Sequence, residues 1–120
     1  ITTLVIPNNN DSEEELRQIA EFIAGIDKKV PWHLSKFFPM HEMEDVPPTP
    51  VETLLKACRI GKEAGLEFVY IGNLPDSDYE NTKCPKCGNV VIERNWREGK
   101  LINKLKGNKC ECGEEIAGFF

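Results

Sequence analysis

Thr2-Thr-Leu-Val-Ile6 is the stretch that decides the fold, because it is a run of β-branched and aliphatic residues without polar alternation. Such a run is typical of a strand that is covered on both faces, as in a parallel sheet. Pro7 and the three asparagines after it end the strand. Because this buried strand begins next to Ile1, which is not a methionine, we expect the chain to be a piece of a longer protein.

Two helical patterns lie farther along the chain. Ser12 opens a capping box with a glutamate three residues later, and the apolar residues behind it predict a helix over 12–24 that ends at Gly25. Thr49 stands as an N-cap in front of a proline at the first helical position, which predicts a second helix over 50–64.

Strands alternate with these helices. Apolar, β-forming stretches predict strands at 30–35 and 66–71, and a proline-rich loop is predicted at 37–50. Strands that are joined by helical crossovers run parallel. We therefore expect an α/β unit at 1–75, which is a βαβαβ fragment of a parallel sheet whose edge lacks its neighbouring strands, followed by a linker at 76–83.

The cysteines near the end of the chain form two close pairs. Cys84-Pro-Lys-Cys87-Gly88 has the two-residue gap that lets both thiolates face one metal ion, and its glycine suits a turn with positive φ. Cys110-Glu-Cys112-Gly113 is the expected second half, and its one-residue gap is expected to distort that half. The pattern predicts a structural zinc site of four cysteines, with a rubredoxin-like iron site or disulfides as the alternatives.

The segment 84–120 that contains these cysteines is short. Apolar residues at 90–92 and 101–105 predict the strands of a ribbon, with a turn at 98–99. Domains below about 40 residues usually need disulfides, a bound metal or oligomerisation to fold, and structural zinc contributes on the order of 10 kcal/mol to folding. We therefore expect a zinc ribbon over this segment. The fifth cysteine, Cys58, lies on the apolar face of the second helix and is expected to pack in the core.

Composition and charge narrow the classes of function. The chain has no apolar run of the roughly 20 residues that a membrane helix needs, so we expect a soluble, cytoplasmic protein without a membrane partner. Residues 1–83 carry 8 basic and 15 acidic side chains, whereas residues 84–120 carry 7 basic and 5 acidic ones. An acidic front part repels phosphate backbones, so nucleic-acid binding is not expected of the chain as a whole.

Polar side chains follow or occupy two of the predicted strands. Ligands of parallel α/β sheets bind at the C-terminal ends of the strands. Asn8, Asn9 and Asn10 follow the first strand and His33 lies in the second, so we expect these side chains to converge around a small molecule. A core histidine bonded to the backbone is the alternative for His33, and His41 lies in a polar loop that is expected to be solvated. The residues alone do not identify a reaction.

Several segments of the sequence occur, in the same order, in a known family. They are Val30-Pro-Trp-His-Leu-Ser-Lys-Phe-Phe-Pro39, Asp45-Val-Pro-Pro-Thr-Pro-Val-Glu-Thr-Leu54, Phe68-Val-Tyr-Ile-Gly-Asn73, Glu80-Asn-Thr82 and Cys84-Pro-Lys-Cys87-Gly88. In these segments the chain resembles the AmmeMemoRadiSam-system radical SAM proteins, which are relatives of the pyruvate formate-lyase activating enzymes. The resemblance covers nearly the whole chain.

The resemblance implies that the chain is the C-terminal part of a partial (β/α) barrel that binds S-adenosylmethionine beside a [4Fe-4S] cluster. Such enzymes cleave S-adenosylmethionine reductively to a 5′-deoxyadenosyl radical, which abstracts hydrogen from a substrate. The family holds its cluster in a Cys-x3-Cys-x2-Cys loop, which is absent from this chain. The fragment is therefore expected to be inactive alone, while the full-length parent is expected to be an enzyme whose protein substrate or partner the sequence does not identify.

The resemblance also carries over to individual residues. His33 matches a histidine in a late strand of the activating enzymes, near the bound S-adenosylmethionine, and Asn8, Asn9 and Asn10 correspond to a position at the barrel mouth. Two other functions fit the residues. The ribbon can be an interaction module that docks a protein or RNA, or the chain can be a rubredoxin-like electron carrier; the docking surface would consist of Arg94, Trp96, Arg97 and Lys100.

Overall fold

The structure is a computed structural model that describes residues 1–39, 45–73, 79–95 and 100–117. The chain divides into two units, Ile1–Asp76 and Ser77–Phe120. The first unit contains, in chain order, β1 (Thr2–Val5), α1 (Glu13–Ile26), β2 (Trp32–Lys36), α2 (Val51–Glu63) and β3 (Val69–Gly72). The second unit contains β4 (Thr82–Lys83), β5 (Val90–Asn95) and β6 (Lys100–Asn103).

The sheet of the first unit is parallel and follows chain order. The strands lie in the order β1-β2-β3, and both neighbouring pairs run parallel. Thr2 lies opposite His33, which in turn lies opposite Tyr70. The parallel βαβαβ arrangement predicted from the alternation of patterns is thereby confirmed, although β2 and β3 begin later than predicted.

One face of this sheet is covered by the helices. Trp32, Leu34 and Ile71 are fully buried on that face. The helix α2 approaches it closely, because a Cβ built on Gly61 would lie 2.9 Å from Trp32 Cε3. Since α1 packs against α2, both helices lie on the same side.

The opposite face of the sheet is open among the described residues. Thr2, Leu4 and His33 are exposed there, and Ser35 and Tyr70 are half-buried. The expectation that the strands are covered on both faces is therefore not met in this chain. Strand side chains alternate between the faces, so an apolar run without alternation does not by itself show that both faces are buried.

The helix α1 begins as the sequence predicts and ends later. The Ser12 hydroxyl accepts a hydrogen bond from the Glu15 N–H (3.2 Å) and donates one to the Glu15 carboxylate (3.0 Å), which is the capping box. The helix continues past Gly25, and the Asp27 N–H donates to the Ile23 carbonyl. Gly25 was expected to close the helix but lies inside its last turn.

The helix α2 begins differently from the prediction. Pro50, and not Thr49, is the N-cap, and it offers no side-chain oxygen. Thr49 is buried instead, where its hydroxyl donates to the Val5 carbonyl (2.6 Å) and accepts from the Phe37 N–H (2.8 Å). After the helix, Gly65 has a φ of +103°, which closes it as expected.

The second unit is a three-stranded antiparallel sheet in the order β4-β5-β6. The strand β4 lies within the stretch 76–83 that was expected to be a linker, so the described part of that stretch belongs to this unit. The Arg94 guanidinium helps to hold β4, because it donates to the Thr82 hydroxyl (2.7 Å) and the Glu80 carbonyl (3.0 Å). The predicted turn at 98–99 lies outside the described residues.

Candidate metal centre

The four cysteines predicted as ligands come together at one point of the second unit. All four Sγ atoms lie within 4.8 Å of one another. Two sulfur pairs join the two halves of the site, with 3.7 Å between Cys84 Sγ and Cys112 Sγ and 3.6 Å between Cys87 Sγ and Cys110 Sγ. A tetrahedral ion with metal–sulfur distances of about 2.3 Å places its sulfurs about 3.8 Å apart. The cluster therefore has the size of a four-thiolate metal site and can hold one metal ion.

The first half of the site is a tight turn. The Gly88 N–H donates to the Cys84 carbonyl (2.9 Å), and the Cys84 N–H donates to the Asn89 carbonyl (2.8 Å). Gly88 has a φ of 78°, a conformation that costs residues with a Cβ more than it costs glycine. The turn thereby directs both of its sulfurs to the same side.

The second half closes in the same way despite its shorter spacing. The Gly113 N–H donates to the Cys110 carbonyl (2.9 Å), and the Cys110 N–H donates to the Glu114 carbonyl (2.9 Å). Gly113 also has a positive φ, at 93°. The one-residue gap between the cysteines was expected to distort this half, but the backbone bonds of the two halves correspond to each other.

Backbone N–H groups point at the sulfur of Cys84. Burial raises the pKa of this thiol, but the N–H groups of Cys87 and Lys86 and the neighbouring sulfurs outweigh burial and lower the pKa to about 7. This thiol therefore ionises readily near neutral pH, which prepares it as a ligand.

The other half of the site has the opposite pKa shift, at Cys110. The Cys112 N–H lowers the pKa of the Cys110 thiol, but burial and the three neighbouring sulfurs together raise it to about 12. Four negative charges cannot gather at this spacing without a positive ion between them. The donor set therefore fits a divalent metal ion, and coordination by four thiolates leaves no position for a substrate.

Within each half of the site, the first cysteine is buried and the second is exposed. Cys84 and Cys110 are buried, whereas Cys87 and Cys112 are exposed. Few apolar side chains support the site, and those buried in the described part of this unit besides the cysteines are Val91, Ile92 and Ile116. Cys58 lies in the first unit and is buried, as expected of a core residue.

The predicted ligand residues of the first unit do not form one cluster. His33 lies near the start of β2, opposite Thr2, and not at the C-terminal end as expected. Asn8, Asn9 and Asn10 follow the other end of β1. The length of the strand from Thr2 to Ile6 separates His33 from these asparagines by roughly 13 Å. Their contact with a cofactor stays a prediction.

The asparagines have contacts within their own loop. The Asn10 amide accepts from the Ile6 N–H (2.7 Å) and donates to the Leu4 carbonyl (2.9 Å). The Asn9 amide donates to the Pro7 carbonyl (3.1 Å). Asn8 has a φ of 63°, which asparagine tolerates better than most residues.

His33 stacks on Tyr70 on the open face of the sheet. The ring centroids are 4.8 Å apart, with 18° between the ring planes. Sequence reasoning placed Tyr70 in a strand but did not connect it with His33; the register of two parallel strands was the signal needed. His41 lies outside the described residues.

One curated relative was found by comparison of sequences, an uncharacterized protein of the archaeon Methanocaldococcus jannaschii. The two are 43% identical over 119 residues, which is 97% of this chain and 36% of the relative. The chain thus spans about a third of the length of the curated relative it matches. No family model matches the chain, and no solved structure matches it. In the described ranges, no helix has the length and apolar character needed to cross a membrane.

Proposed function

We propose that this chain is the C-terminal part of a radical SAM enzyme similar to the pyruvate formate-lyase activating enzymes. In the parent protein the first unit would form a section of the barrel wall, and the second unit would be a zinc ribbon. The parent would cleave S-adenosylmethionine to the 5′-deoxyadenosyl radical, with its four-iron cluster held by cysteines outside this chain. We place the protein in the cytoplasm, where reducing conditions keep the thiols available to a metal.

The observation that carries this proposal is the face of the sheet on which His33 lies, not its place along the strand. This residue, which the family resemblance places near S-adenosylmethionine, lies on the face of the sheet that neither helix covers. When such a sheet closes into a (β/α) barrel, the uncovered face becomes the inside of the barrel. His33 and its stacking partner Tyr70 would then line the interior.

The winding of the first unit also supports the proposal. Strands in chain order with both helices on one side are the arrangement of a barrel wall, whereas a doubly wound sheet has helices on both faces. The matching relative, of which this chain covers 36%, has enough additional length for further strands and helices.

The proposed metal of the ribbon is zinc. Zinc is the usual ion of closed four-cysteine sites with a structural role, and iron is the alternative for the same donor set. Elemental analysis of the purified protein separates the two, because zinc gives a colourless protein with one ion per chain. A red protein that contains one iron ion per chain would show that the metal is iron and not zinc.

The enzymatic proposal is tested on the full-length protein after anaerobic reconstitution with iron and sulfide. With a reductant, it is expected to convert S-adenosylmethionine to 5′-deoxyadenosine. His33→Ala is expected to weaken S-adenosylmethionine binding roughly tenfold, the effect of losing about 1.4 kcal/mol of contact. Lys62→Ala, on the exposed side of α2, is the matched control and should leave binding unchanged. A reconstituted protein that forms no four-iron cluster would refute the proposal.

A second candidate function is an interaction module, which the exposure of β6 favours. All four residues of this strand are exposed, including Leu101 and Ile102. Arg94, which was expected to belong to the docking surface, is instead bonded within the ribbon. The test is therefore charge reversal at Lys100 and Lys104. Salt-dependent RNA binding that these changes abolish would support the RNA version, and unchanged binding would refute it.

A further inference from the structure

Two sulfur contacts across the candidate metal site each join an exposed cysteine to a buried one. Cys87 is exposed, and its Sγ lies 3.6 Å from the Sγ of the buried Cys110. Cys112 is exposed, and its Sγ lies 3.7 Å from the Sγ of the buried Cys84. Solvent therefore reaches one residue of each pair, while the protein shields the other.

This difference in exposure determines which sulfurs a small oxidant meets first. Peroxides react with cysteine as the thiolate and only where they can reach it. All four cysteines of a tetrathiolate metal site are thiolates, so access is what distinguishes them. Cys87 and Cys112 are therefore the expected points of attack. Cys58, which is buried in the first unit, is expected to react slowly.

The reaction at each exposed cysteine has two steps. The exposed thiolate attacks one oxygen of hydrogen peroxide, the O–O bond breaks, and a sulfenic acid forms as hydroxide leaves. The thiolate in contact across the site then attacks this sulfur, forms the S–S bond and displaces a second hydroxide. Each disulfide thus takes two thiolates and one peroxide and gives two hydroxide ions, with two electrons passing from sulfur to oxygen.

The geometry also favours one pairing of the four cysteines among the three that are possible. Pairing within each half would join Cys110 to Cys112 across a single residue, and so short a loop is stiff and hard to close. The two sulfur pairs in contact across the site need only approach from 3.6 and 3.7 Å to about 2.05 Å. The favoured bonds therefore join Cys84 to Cys112 and Cys87 to Cys110.

These bonds connect the same two turns that a metal ion would connect. The Gly88 N–H donates to the Cys84 carbonyl, and the Gly113 N–H donates to the Cys110 carbonyl. Neither hydrogen bond uses a sulfur atom, so both turns can persist when the sulfurs are oxidised. The two halves then stay joined, and reduction returns the four thiolates to one place.

We propose that the four-cysteine site is a reversible oxidation site for small peroxides, which convert it into the disulfides Cys84–Cys112 and Cys87–Cys110 and release its metal. Oxidation starts at Cys87 and Cys112. A disulfide sulfur carries no negative charge, so the oxidised site no longer holds a divalent ion. The inference rests on the metal site of the proposed function and not on S-adenosylmethionine chemistry, and it adds a response to oxidants.

The first test maps the disulfides in the full-length, zinc-loaded protein after treatment with about two molecules of hydrogen peroxide per chain, the amount that four thiolates consume. Cleavage after Lys86 and after Glu111 places the four cysteines on separate peptides, which mass spectrometry without reduction identifies. The peptide of Cys84 is expected to be joined to that of Cys112. A bond from Cys84 to Cys87, or sulfinic acids without disulfides, would overturn the proposal.

The second test follows the order of oxidation and the metal. With less peroxide and dimedone, which traps sulfenic acids, Cys87 and Cys112 are expected to be labelled at least about tenfold more than Cys84 and Cys110. A chromogenic chelator should detect the released zinc, and dithiothreitol with added zinc should restore the site. Equal labelling of all four cysteines, or retention of zinc after the thiols are oxidised, would overturn the proposal.

Cys58→Ser is the matched control, because it removes the described cysteine that lies outside the cluster. This variant is expected to form the same two disulfides and to release the same amount of zinc. A change in either would show that Cys58 takes part in the reaction and would contradict the pairing. None of these readouts uses S-adenosylmethionine, so a failure here is distinguishable from a failure of the radical reaction.

Discussion

Thr49 shows how one buried hydroxyl can connect three segments of a small unit. It is 1% exposed, and it bonds the end of β1 through Val5 and the end of β2 through Phe37 just before α2 begins. Buried polar groups are stable only when they are hydrogen-bonded. The residue thereby ties the ends of two parallel strands to the start of the second helix.

Replacing Thr49 by valine keeps the shape of the side chain and removes the hydroxyl. The Val5 carbonyl and the Phe37 N–H would then lose their partner, so we expect the free energy of unfolding to fall by about 2 kcal/mol. Urea unfolding measures the change. Thr49→Ser retains the hydroxyl and should recover most of the loss; a serine variant as unstable as the valine variant would contradict this explanation.

Cys110 is the buried cysteine in the second half of the candidate metal site. We expect Cys110→Ser to abolish stoichiometric metal binding, because a neutral hydroxyl replaces one of four thiolates in a closed site. Metal content per chain after dialysis measures the effect. Cys58→Ser, the matched change at the cysteine outside the cluster, should leave one ion bound; loss of metal in this control would place the site elsewhere.

The packing of α2 on the sheet depends on the absence of a side chain at Gly61. A Cβ there would lie 2.9 Å from Trp32 Cε3 and 3.1 Å from Val69 Cγ2, which is closer than ordinary contact. Trp32 is fully buried and cannot move aside freely. The small residue therefore sets how closely this element approaches the strands.

Two glycine-to-alanine changes separate this packing effect from helix propensity. Gly61→Ala is expected to lower the free energy of unfolding by about 1–3 kcal/mol through overpacking. Gly25→Ala, in the last turn of α1 with no atom within 4 Å of the added Cβ, is expected to raise it by about 0.5–1 kcal/mol. Denaturant titration of both variants checks the pair, and the same sign in both would refute the packing account.

At the scale of elements, local signals predicted what depends on local chemistry. The capping box at Ser12 placed the start of α1, and the alternation of strands and helices gave the parallel order. The prediction that Thr49 is the N-cap was wrong because its hydroxyl is buried and hydrogen-bonded to residues that are distant in sequence. The strand β4 was not predicted because it is only two residues long and is held by Arg94, which follows it by more than ten residues.

For the candidate sites, too, local patterns in the sequence predicted only what depends on local spacing. The spacing of the cysteines was sufficient to name the four residues whose sulfurs come together. The stacking of His33 on Tyr70 and the separation of His33 from the asparagines depend on the register of the strands, and no local pattern in a parallel sheet fixes that register.

At the scale of the whole molecule, the two units have separate cores. The first unit buries large side chains of its own, including Trp32, Leu16 and Leu54. In the described part of the second unit, the buried apolar residues are few, so we expect a metal ion held by the four cysteines to supply much of its stability.

Removal of the metal is therefore expected to act on one unit alone. A strong chelator should unfold the second unit, which would lose on the order of 10 kcal/mol of metal-binding free energy. The amides of β5 should then exchange freely, while those of β2 keep their protection. Exchange measured residue by residue tests this, and readdition of zinc should restore β5. Simultaneous loss of protection in β2 and β5 would contradict the independence of the two cores.

The equivalent closure of the two cysteine turns has a consequence for finding related proteins. Gly88 and Gly113 adopt similar backbone conformations, although the cysteines before them are spaced differently. A pattern search that demands two residues between the members of each cysteine pair would pass over this chain. The glycine directly after the second cysteine is the more general marker, and searches that allow either spacing in front of it should recover sites that stricter patterns miss.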